Sequence, residues 1–259
     1  MDKRFLKQIE DASLRFVLSH IVDCAELAER RCEARYTQFL TPKEQHFILQ
    51  YLLLDAGMVY SLFGGWKDAE RKILCICPEW LEIEPDSFPI DMVRIQAPHS
   101  EGLTHRDYLG ALMGLGVKRE MIGDILTQGE ACFLFCRREI CPYICANLEK
   151  VGRFGVQAEV ADADSLSVGE KKVERSSIPV ISMRVDAVLA GVLQLSRSRS
   201  AELIRAGRVS VNYELCDSGS HMLCCGDIVS VKGHGKYEIG SMGGTSKKGR
   251  TYVEIIKYL

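Results

Sequence analysis

The stretch Ser196-Arg197-Ser198-Arg199-Ser200-Ala201-Glu202-Leu203-Ile204-Arg205-Ala206-Gly207-Arg208-Val209-Ser210-Val211-Asn212, with Arg184-Val185-Asp186 ahead of it and Gly226-Asp227-Ile228-Val229-Ser230-Val231 behind, sets the architecture of the C-terminal third. Arg184-Val185-Asp186 opens a helix in which Val185, Val188, Leu189, Val192 and Leu193 share one face of a 3.6-residue period. Ser196 suits the N-cap of a second helix and Gly207 its C-terminal stop. Alternation over 209–211 and 228–231 predicts strands, so two short helices lie against a small sheet. Ala201 and Ile204 are expected to face the core, leaving Arg199 and Arg205 outward, with Arg197 at the helix start and Arg208 just past its end. A planar guanidinium grips phosphate oxygens with two donors and stacks on bases, and the N–H groups of Arg197 to Arg199 add the positive end of a helix dipole. Arg184, Arg197, Ser198, Arg199, Arg205, Arg208 and Lys232 are the candidate RNA-contacting residues; on charge alone a solvated helix face, partly neutralised by Glu202, explains them equally simply.

Further on, Tyr237–Ile239 and Tyr252–Ile256 read as strands joined by Gly243-Gly244-Thr245-Ser246-Lys247-Lys248-Gly249-Arg250. A glycine-rich tip carrying Lys247, Lys248 and Arg250 can approach a phosphate backbone closely; it can equally be a solubilising loop. Residues 1–175 hold 22 basic and 28 acidic side chains, whereas 176–259 hold 11 basic and 7 acidic ones. The net charge of −2 therefore hides a basic C-terminal end suited to a polyanion.

Upstream, residues 1–60 read as an N-terminal helical segment: Leu14, Val17, Leu18, Ile21 and Val22 form one stripe, and Thr41 with Glu44 forms a capping box ahead of a helix with Pro42 at its first position. Residues 61–160 change to short apolar strands, Ile73–Cys77, Met92–Ile95 and Ala131–Cys136, with helices expected over Tyr108–Leu115 and Pro142–Lys150, a central α/β unit. Residues 161–180 are small and polar, a linker with an extended strand in it, and 181–259 form the C-terminal domain with its basic hairpin. The fold class is thus α+β. No apolar run is long enough to span a bilayer, the N-terminus lacks the apolar core of a signal peptide, and the 11 cysteines are odd in number. A cytoplasmic, monomeric protein with reduced thiols, no membrane contact, no small-molecule substrate and no cofactor or metal is expected.

The order Arg-x-Asp, helix, Ser-Arg-Ser, Ala-x-x-Ile, Gly-x-Val-x-Val-Asn, Gly-Asp-x-Val resembles the αL RNA-binding motif, the domain named after the fourth small-subunit ribosomal protein. That resemblance carries RNA contact over to Arg197, Ser198, Arg199, Arg205 and Arg208. Tyr213 stands where the motif often has glycine, which predicts a longer loop in place of a tight turn. Phe63-Gly64-Gly65-Trp66, Ala69-Glu70-Arg71, His105-Arg106-Asp107-Tyr108, Arg119 and Ile122-Gly123-Asp124-Ile125 resemble the YlmH family. Taken together these likenesses imply a bacterial ribosome-associated quality-control factor, not an enzyme, that binds large ribosomal subunits stalled with peptidyl-tRNA. They also imply a central unit similar to an RNA recognition motif, with a second RNA surface at Trp66, Arg71, His105, Arg106 and Arg119. The Gly-Phe-x-Phe signature of that motif is missing, which speaks against base stacking there.

Two other patterns need weighing. His105-Arg106-Asp107 occurs in kinase catalytic loops, but no Gly-x-Gly-x-x-Gly loop or Asp-Phe-Gly accompanies it, and a capped helix start explains it. Cys132, Cys136, Cys141 and Cys145 could offer four thiolates to zinc, but the spacing lacks two-residue knuckles and buried thiols are the simpler account. The rival function is an RNA-modifying enzyme of the pseudouridine synthase or methyltransferase class using the same domain to hold substrate; a third is a cell-division-linked factor.

Overall fold

Asp11 starts the first helix: its carboxylate accepts the N–H groups of Ser13 and Leu14 at 3.0 and 3.1 Å, and α1 runs over Ala12–Arg31. The computed structural model describes residues 6–7, 9–51, 57–98, 102–162, 166, 173–245 and 249–258, divided between one unit up to residue 167 and a second from residue 168.

In the first unit, α1 is followed by β1 (Arg35–Leu40), α2 (Pro42–Tyr51), β2 (Met58–Phe63) and β3 (Lys72–Pro78). The capping box forms as expected, with the Glu44 carboxylate accepting from the Thr41 N–H at 2.6 Å and hydroxyl at 2.9 Å. The expectation of helices throughout residues 1–60, with a boundary there, is corrected: β1 and β2 flank β3 in one antiparallel sheet of order β1-β3-β2. The reason lies in β3. Its Ile73, Leu74, Cys75, Ile76 and Cys77 are all fully buried, so it needs a paired strand on each side and cover on both faces. Leu74 and Ile76 face α1 and α2, packing with Leu18, Ile21 and Ile48, while Ile73 and Cys75 face the other way.

What they face is a second sheet. β4 (Ile90–Gln96), α3 (His105–Gly114), β5 (Ile122–Gln128), β6 (Ala131–Arg137), α4 (Cys141–Asn147), the small hairpin β7 (Lys150–Val151) and β8 (Phe154–Gly155), and β9 (Gln157–Ala161) follow in order. Leaving the hairpin aside, this is β-α-β-β-α-β, and the antiparallel sheet order β5-β6-β4-β9 is that of the split βαβ fold shared by RNA recognition motifs. Val93, Ile95, Cys132 and Leu134 pack beneath Tyr108 and Leu112 of α3 and Ile144 of α4. Alternation sends Phe133 and Phe135 of the central strand β6 to the opposite face, where they are buried against Phe39, Ile73 and Cys75 of the first sheet.

The second unit comprises β10 (Val173–Val180), α5 (Val185–Val192), α6 (Arg197–Arg205), β11 (Val209–Val211), β12 (Glu214–Leu215), β13 (Ile228–Val231), β14 (Gly235–Thr245) and β15 (Thr251–Tyr258). The six strands are antiparallel in the order β10-β15-β14-β13-β11-β12. Much of the expected linker is therefore structure: β10 pairs with β15 from Val173↔Tyr258 to Val180↔Thr251, while 163–165 and 167–172 lie outside the described residues. Val185, Val188 and Leu189 of α5 and Leu203 and Ile204 of α6 close the core over Val209, Val229, Val231, Ile239 and Val253. Among the described residues no helix is long and apolar enough to cross a membrane.

Candidate nucleic-acid interface

Helix α6 presents its cations as a consequence of how its ends and its core stripe are fixed. The Ser196 hydroxyl accepts the Arg199 N–H at 3.2 Å, so that N–H is already partnered and is not available at the helix start. At the other end Gly207, at φ +64°, reverses the chain in the left-handed region, letting Arg208 N–H reach the Leu203 carbonyl at 3.1 Å. The buried stripe is Ser200, Leu203 and Ile204, not Ala201 and Ile204; Ser200 is buried because its hydroxyl donates back to the Ser196 carbonyl at 3.3 Å. With 3.6 residues per turn, Ser198, Glu202 and Arg205 lie opposite that stripe, and Arg197 and Arg199 sit on its two flanks. Arg197, Ser198, Arg199, Arg205, Arg208 and Lys232 are all exposed.

Carboxylates hold some of these groups. Asp186 at the start of α5 accepts Nε and Nη2 of Arg184 at 3.1 and 2.9 Å and Nη2 of Arg197 at 3.2 Å. The side chain of Asp186 is only 12% exposed against 41% and 53% for the two arginines, so the acid is an anchor and the guanidiniums face water. The hydrogen bonds from Arg184 hold its carboxyl below the ordinary carboxylate value, against the opposing effect of burial. Arg199 donates to Glu202 at 2.6 Å on the surface. Arg205 donates to the Ala201 carbonyl at 3.4 Å, and Arg208 donates to the Lys232 carbonyl at 2.8 Å. Arg208 and Lys232 thereby meet at the mouth of a cleft of about 470 Å³ that also includes Lys236, Leu215 and the glycines at 207, 233 and 235. Arg250 is exposed beside the β14–β15 turn; Lys247 and Lys248 lie outside the described residues.

The longer loop expected at Tyr213 is corrected. Asn212 and Tyr213, at φ +48° and +69°, form a two-residue turn between β11 and β12 in which both occupy the left-handed region. Asn212 makes this possible: its amide donates to Asp227 Oδ1 and accepts the Ile228 N–H, each at 2.9 Å. Sequence reasoning missed Lys236, whose ammonium lies 5.3 Å from the ring centroids of both Tyr213 and Tyr258. Lys236 and Tyr258 are register partners across β14 and β15, a juxtaposition visible only once the strands are paired.

The second group of candidates divides. Arg71 is 8% exposed and its guanidinium donates to the carbonyls of Ile122 (2.8 Å), Phe39 (3.0 Å) and Arg119 (3.3 Å). Burial pulls its pKa down to about 10, which leaves it charged at neutral pH. Asp124, also buried, accepts the N–H groups of Glu70 and Arg71 and the indole N–H of Trp66. Trp66 stacks on Phe135 with centroids 6.5 Å apart. Gly65, at φ +94° and next to Trp66 in the chain, lies so close to Phe135 that an added Cβ would be 2.4 Å from the ring. Arg71 and Trp66 therefore belong to a joint between the two sheets: the Arg71 guanidinium and the Trp66 indole N–H donate to groups of the protein itself, and Arg71 is buried while Trp66 is half-buried. Arg119 is half-buried, donating to the carbonyls of Ile122 and Gly123 at 2.8 and 3.3 Å, while His105 and Arg106 remain exposed at the start of α3. Partial desolvation by its surroundings and the nearby Arg119 lower the His105 pKa below its ordinary value. Asp107, the acid of the kinase-like triplet, accepts the Thr104 N–H and hydroxyl at 2.8 and 2.7 Å and caps α3. Cys132, Cys136 and Cys141 are buried and Cys145 partly so, with burial pushing the Cys132 thiol up to about 12; among the described residues no group of His, Cys, Asp and Glu is arranged to hold a metal ion.

Comparison with known proteins supplies the context. A family described as "Putative RNA-binding domain in YlmH" matches residues 84–165, which span the β-α-β-β-α-β sheet, and the S4 domain matches residues 183–229. The chain is 30% identical over 235 residues to the ribosome-associated protein quality control protein P2 of Bacillus subtilis, spanning 90% of this chain and 91% of that protein. It is also similar to the solved structure of the cell division protein ylmH from Streptococcus pneumoniae, at 22% identity and a TM-score of 0.49, over 60% of this chain and 94% of that one.

Proposed function

We infer the function from one premise: this chain belongs to the YlmH family. It binds RNA on the ribosome, and its specific work is to dock on ribosomal RNA of large subunits stalled with peptidyl-tRNA, in the cytoplasm, as a binding factor and not as an enzyme. The observation that carries this reading is the exposure of Arg197, Ser198, Arg199, Arg205 and Arg208 along α6 and its C-terminal turn, with Arg184 held beside Arg197 by their shared Asp186. Anchoring two guanidiniums on one buried acid fixes their spacing before RNA arrives, so less side-chain freedom is lost on binding. Arg208 and Lys232 extend the cationic surface past the helix, and the Arg250 hairpin adds to it. Phosphate contacts of this kind position a protein on folded RNA by shape, with no base code. On the first unit, His105 and Arg106 form a second, smaller surface for RNA.

Replacing Arg197, Arg199 and Arg205 together with Ala tests the reading by sedimentation with purified large subunits over a salt series. Association is expected to weaken, and the log–log salt dependence to become shallower by roughly 0.7–0.9 for each phosphate that is no longer neutralised. Unchanged association would refute the site. The B. subtilis relative's link to quality control motivates the stalled subunit as target, which is tested by whether the protein enriches subunits carrying peptidyl-tRNA over empty ones.

A further inference from the structure

In the sheet of the second unit, Val209, Val211, Val229 and Val231 turn inward beneath α5 and α6, so the residues that alternate with them turn outward. Register places Leu215, Ser210, Ser230 and Lys236 side by side across β12, β11, β13 and β14, one row on that outward face. The row lines the cleft of about 470 Å³ at which Arg208 and Lys232 meet. Three cations and two hydroxyl side chains border it, and among the described residues no carboxylate does. Its walls are fixed before anything binds. The Lys232 N–H donates to the Arg208 carbonyl and Arg208 Nη2 donates to the Lys232 carbonyl, each at 2.8 Å. Gly233, at φ +87°, lets the guanidinium lie against its turn, since an added Cβ would be 3.1 Å from Arg208 Nη2. Arg208 and Lys232 are exposed, and Leu215 is 68% exposed. Lys236 is half-buried, its ammonium held at the rings of Tyr213 and Tyr258.

Cations without a carboxylate among them call for an anion, and a polyanion is the ligand that the basic second unit suits. The cleft offers more than charge. An exposed leucine and a guanidinium plane pinned in place are surfaces on which a flat ring can lie, and a phosphate would leave both unused. Its volume falls within the range of single-ligand sites, about 300–1,000 Å³, enough for one nucleotide and too small for a double helix. An unpaired nucleotide brings the ring and the phosphate together, with its base free of the stack. We propose that the cleft takes one unpaired nucleotide of the bound RNA, with its base between the Arg208 plane and Leu215 and its phosphate at Lys232. Stacking of this kind accepts any base, so the site reads the presence of a loop or bulge and not its sequence. The proposal rests on the reading that the second unit binds RNA, and specifies what the RNA presents beside the α6 surface.

The test uses the full-length protein and two fluorescein-labelled RNAs, a hairpin with a single-stranded loop and a blunt duplex of the same length, followed by anisotropy over a salt series. Arg208→Lys with Leu215→Ala keeps the charge and removes both stacking surfaces. Hairpin binding is expected to weaken roughly tenfold, with duplex binding and the salt dependence unchanged. Equal weakening on both RNAs, or none on either, would overturn the proposal. So would a variant that loses binding only to free labelled uridine monophosphate, which would make the cleft a site for a soluble nucleotide. Leu215→Ala alone, at a side chain in solvent, is expected to lose part of the hairpin affinity and keeps the test valid should Arg208→Lys loosen the turn. The triple replacement on α6 separates the two readings, because it is expected to weaken hairpin and duplex alike. If it spared both, the α6 surface would fail, while the hairpin-against-duplex difference of the cleft variant would still decide the cleft.

Discussion

The two units each gather arginines around a buried aspartate, and they use the arrangement in opposite ways. Around Asp124, Arg71 is 8% exposed and gives its donors to three backbone carbonyls, so its charge is consumed in joining two sheets. Around Asp186, Arg184 and Arg197 keep 41% and 53% of their side chains in solvent, so the acid steers charges that remain usable. A basic residue in a family motif is thus a binding group only when its donors are left over after the fold has taken its share.

Replacing Arg71 with Ala tests the sharper half of that contrast. It strips partners from the carbonyls of Ile122, Phe39 and Arg119 inside the protein and is expected to cost about 3–5 kcal/mol, read as a lowered urea midpoint. A stable variant with reduced RNA affinity alone would reverse the assignment. The triple replacement of Arg197, Arg199 and Arg205 is the mirror experiment, with an expected loss of about 2–3 kcal/mol in RNA binding at low salt and less than about 1 kcal/mol in stability, because these groups are exposed.

The contrast also marks how far the sequence can be read. The strands β3, β4 and β6 and the helices α1, α3, α5 and α6 stand out because their periodicities and caps are local. The strands β1 and β2 do not, since what makes them strands is the doubly buried β3 lying between them, which is a fact about packing. Asp124 sits in a family motif, yet its partners Trp66 and Arg71 are 58 and 53 residues away, so no spacing rule could show that they meet. On α6 the positions of the arginines are legible, but the core stripe lies one residue from where the pattern puts it, because a buried Ser200 looks polar until its hydroxyl is seen to find Ser196.

Asp186 sharpens the comparison through pH. Its folded pKa lies below its unfolded value near 3.9, so the stability it contributes is fully present above that value and is lost as pH falls through it toward the folded pKa. Asp186→Asn is expected to cost about 1–2 kcal/mol at neutral pH, discounted for the solvent around both arginines, and little at pH 2. Urea melts across that range check it; a difference that persisted unchanged at pH 2 would show that shape, not charge, holds the anchor. RNA affinity is expected to fall only a fewfold, since the cations remain and only their spacing is freed.

The smallest expected effect belongs to Tyr213, where three terms nearly cancel. Left-handed backbone costs a side-chain-bearing residue about 1–2 kcal/mol, which Tyr213→Gly would recover. Against that, the glycine gives the unfolded chain about 0.5–1 kcal/mol of extra freedom and forfeits an interaction with Lys236 of similar size. The melting temperature is therefore expected to move by less than about 4 °C. The turn itself should survive, because Asn212, bonded to Asp227 and Ile228, imposes it. If Tyr213→Gly leaves the melt unmoved yet weakens RNA binding, the tyrosine is part of the surface that Arg208 and Lys232 begin; if binding too is unmoved, the cationic surface ends at those two residues.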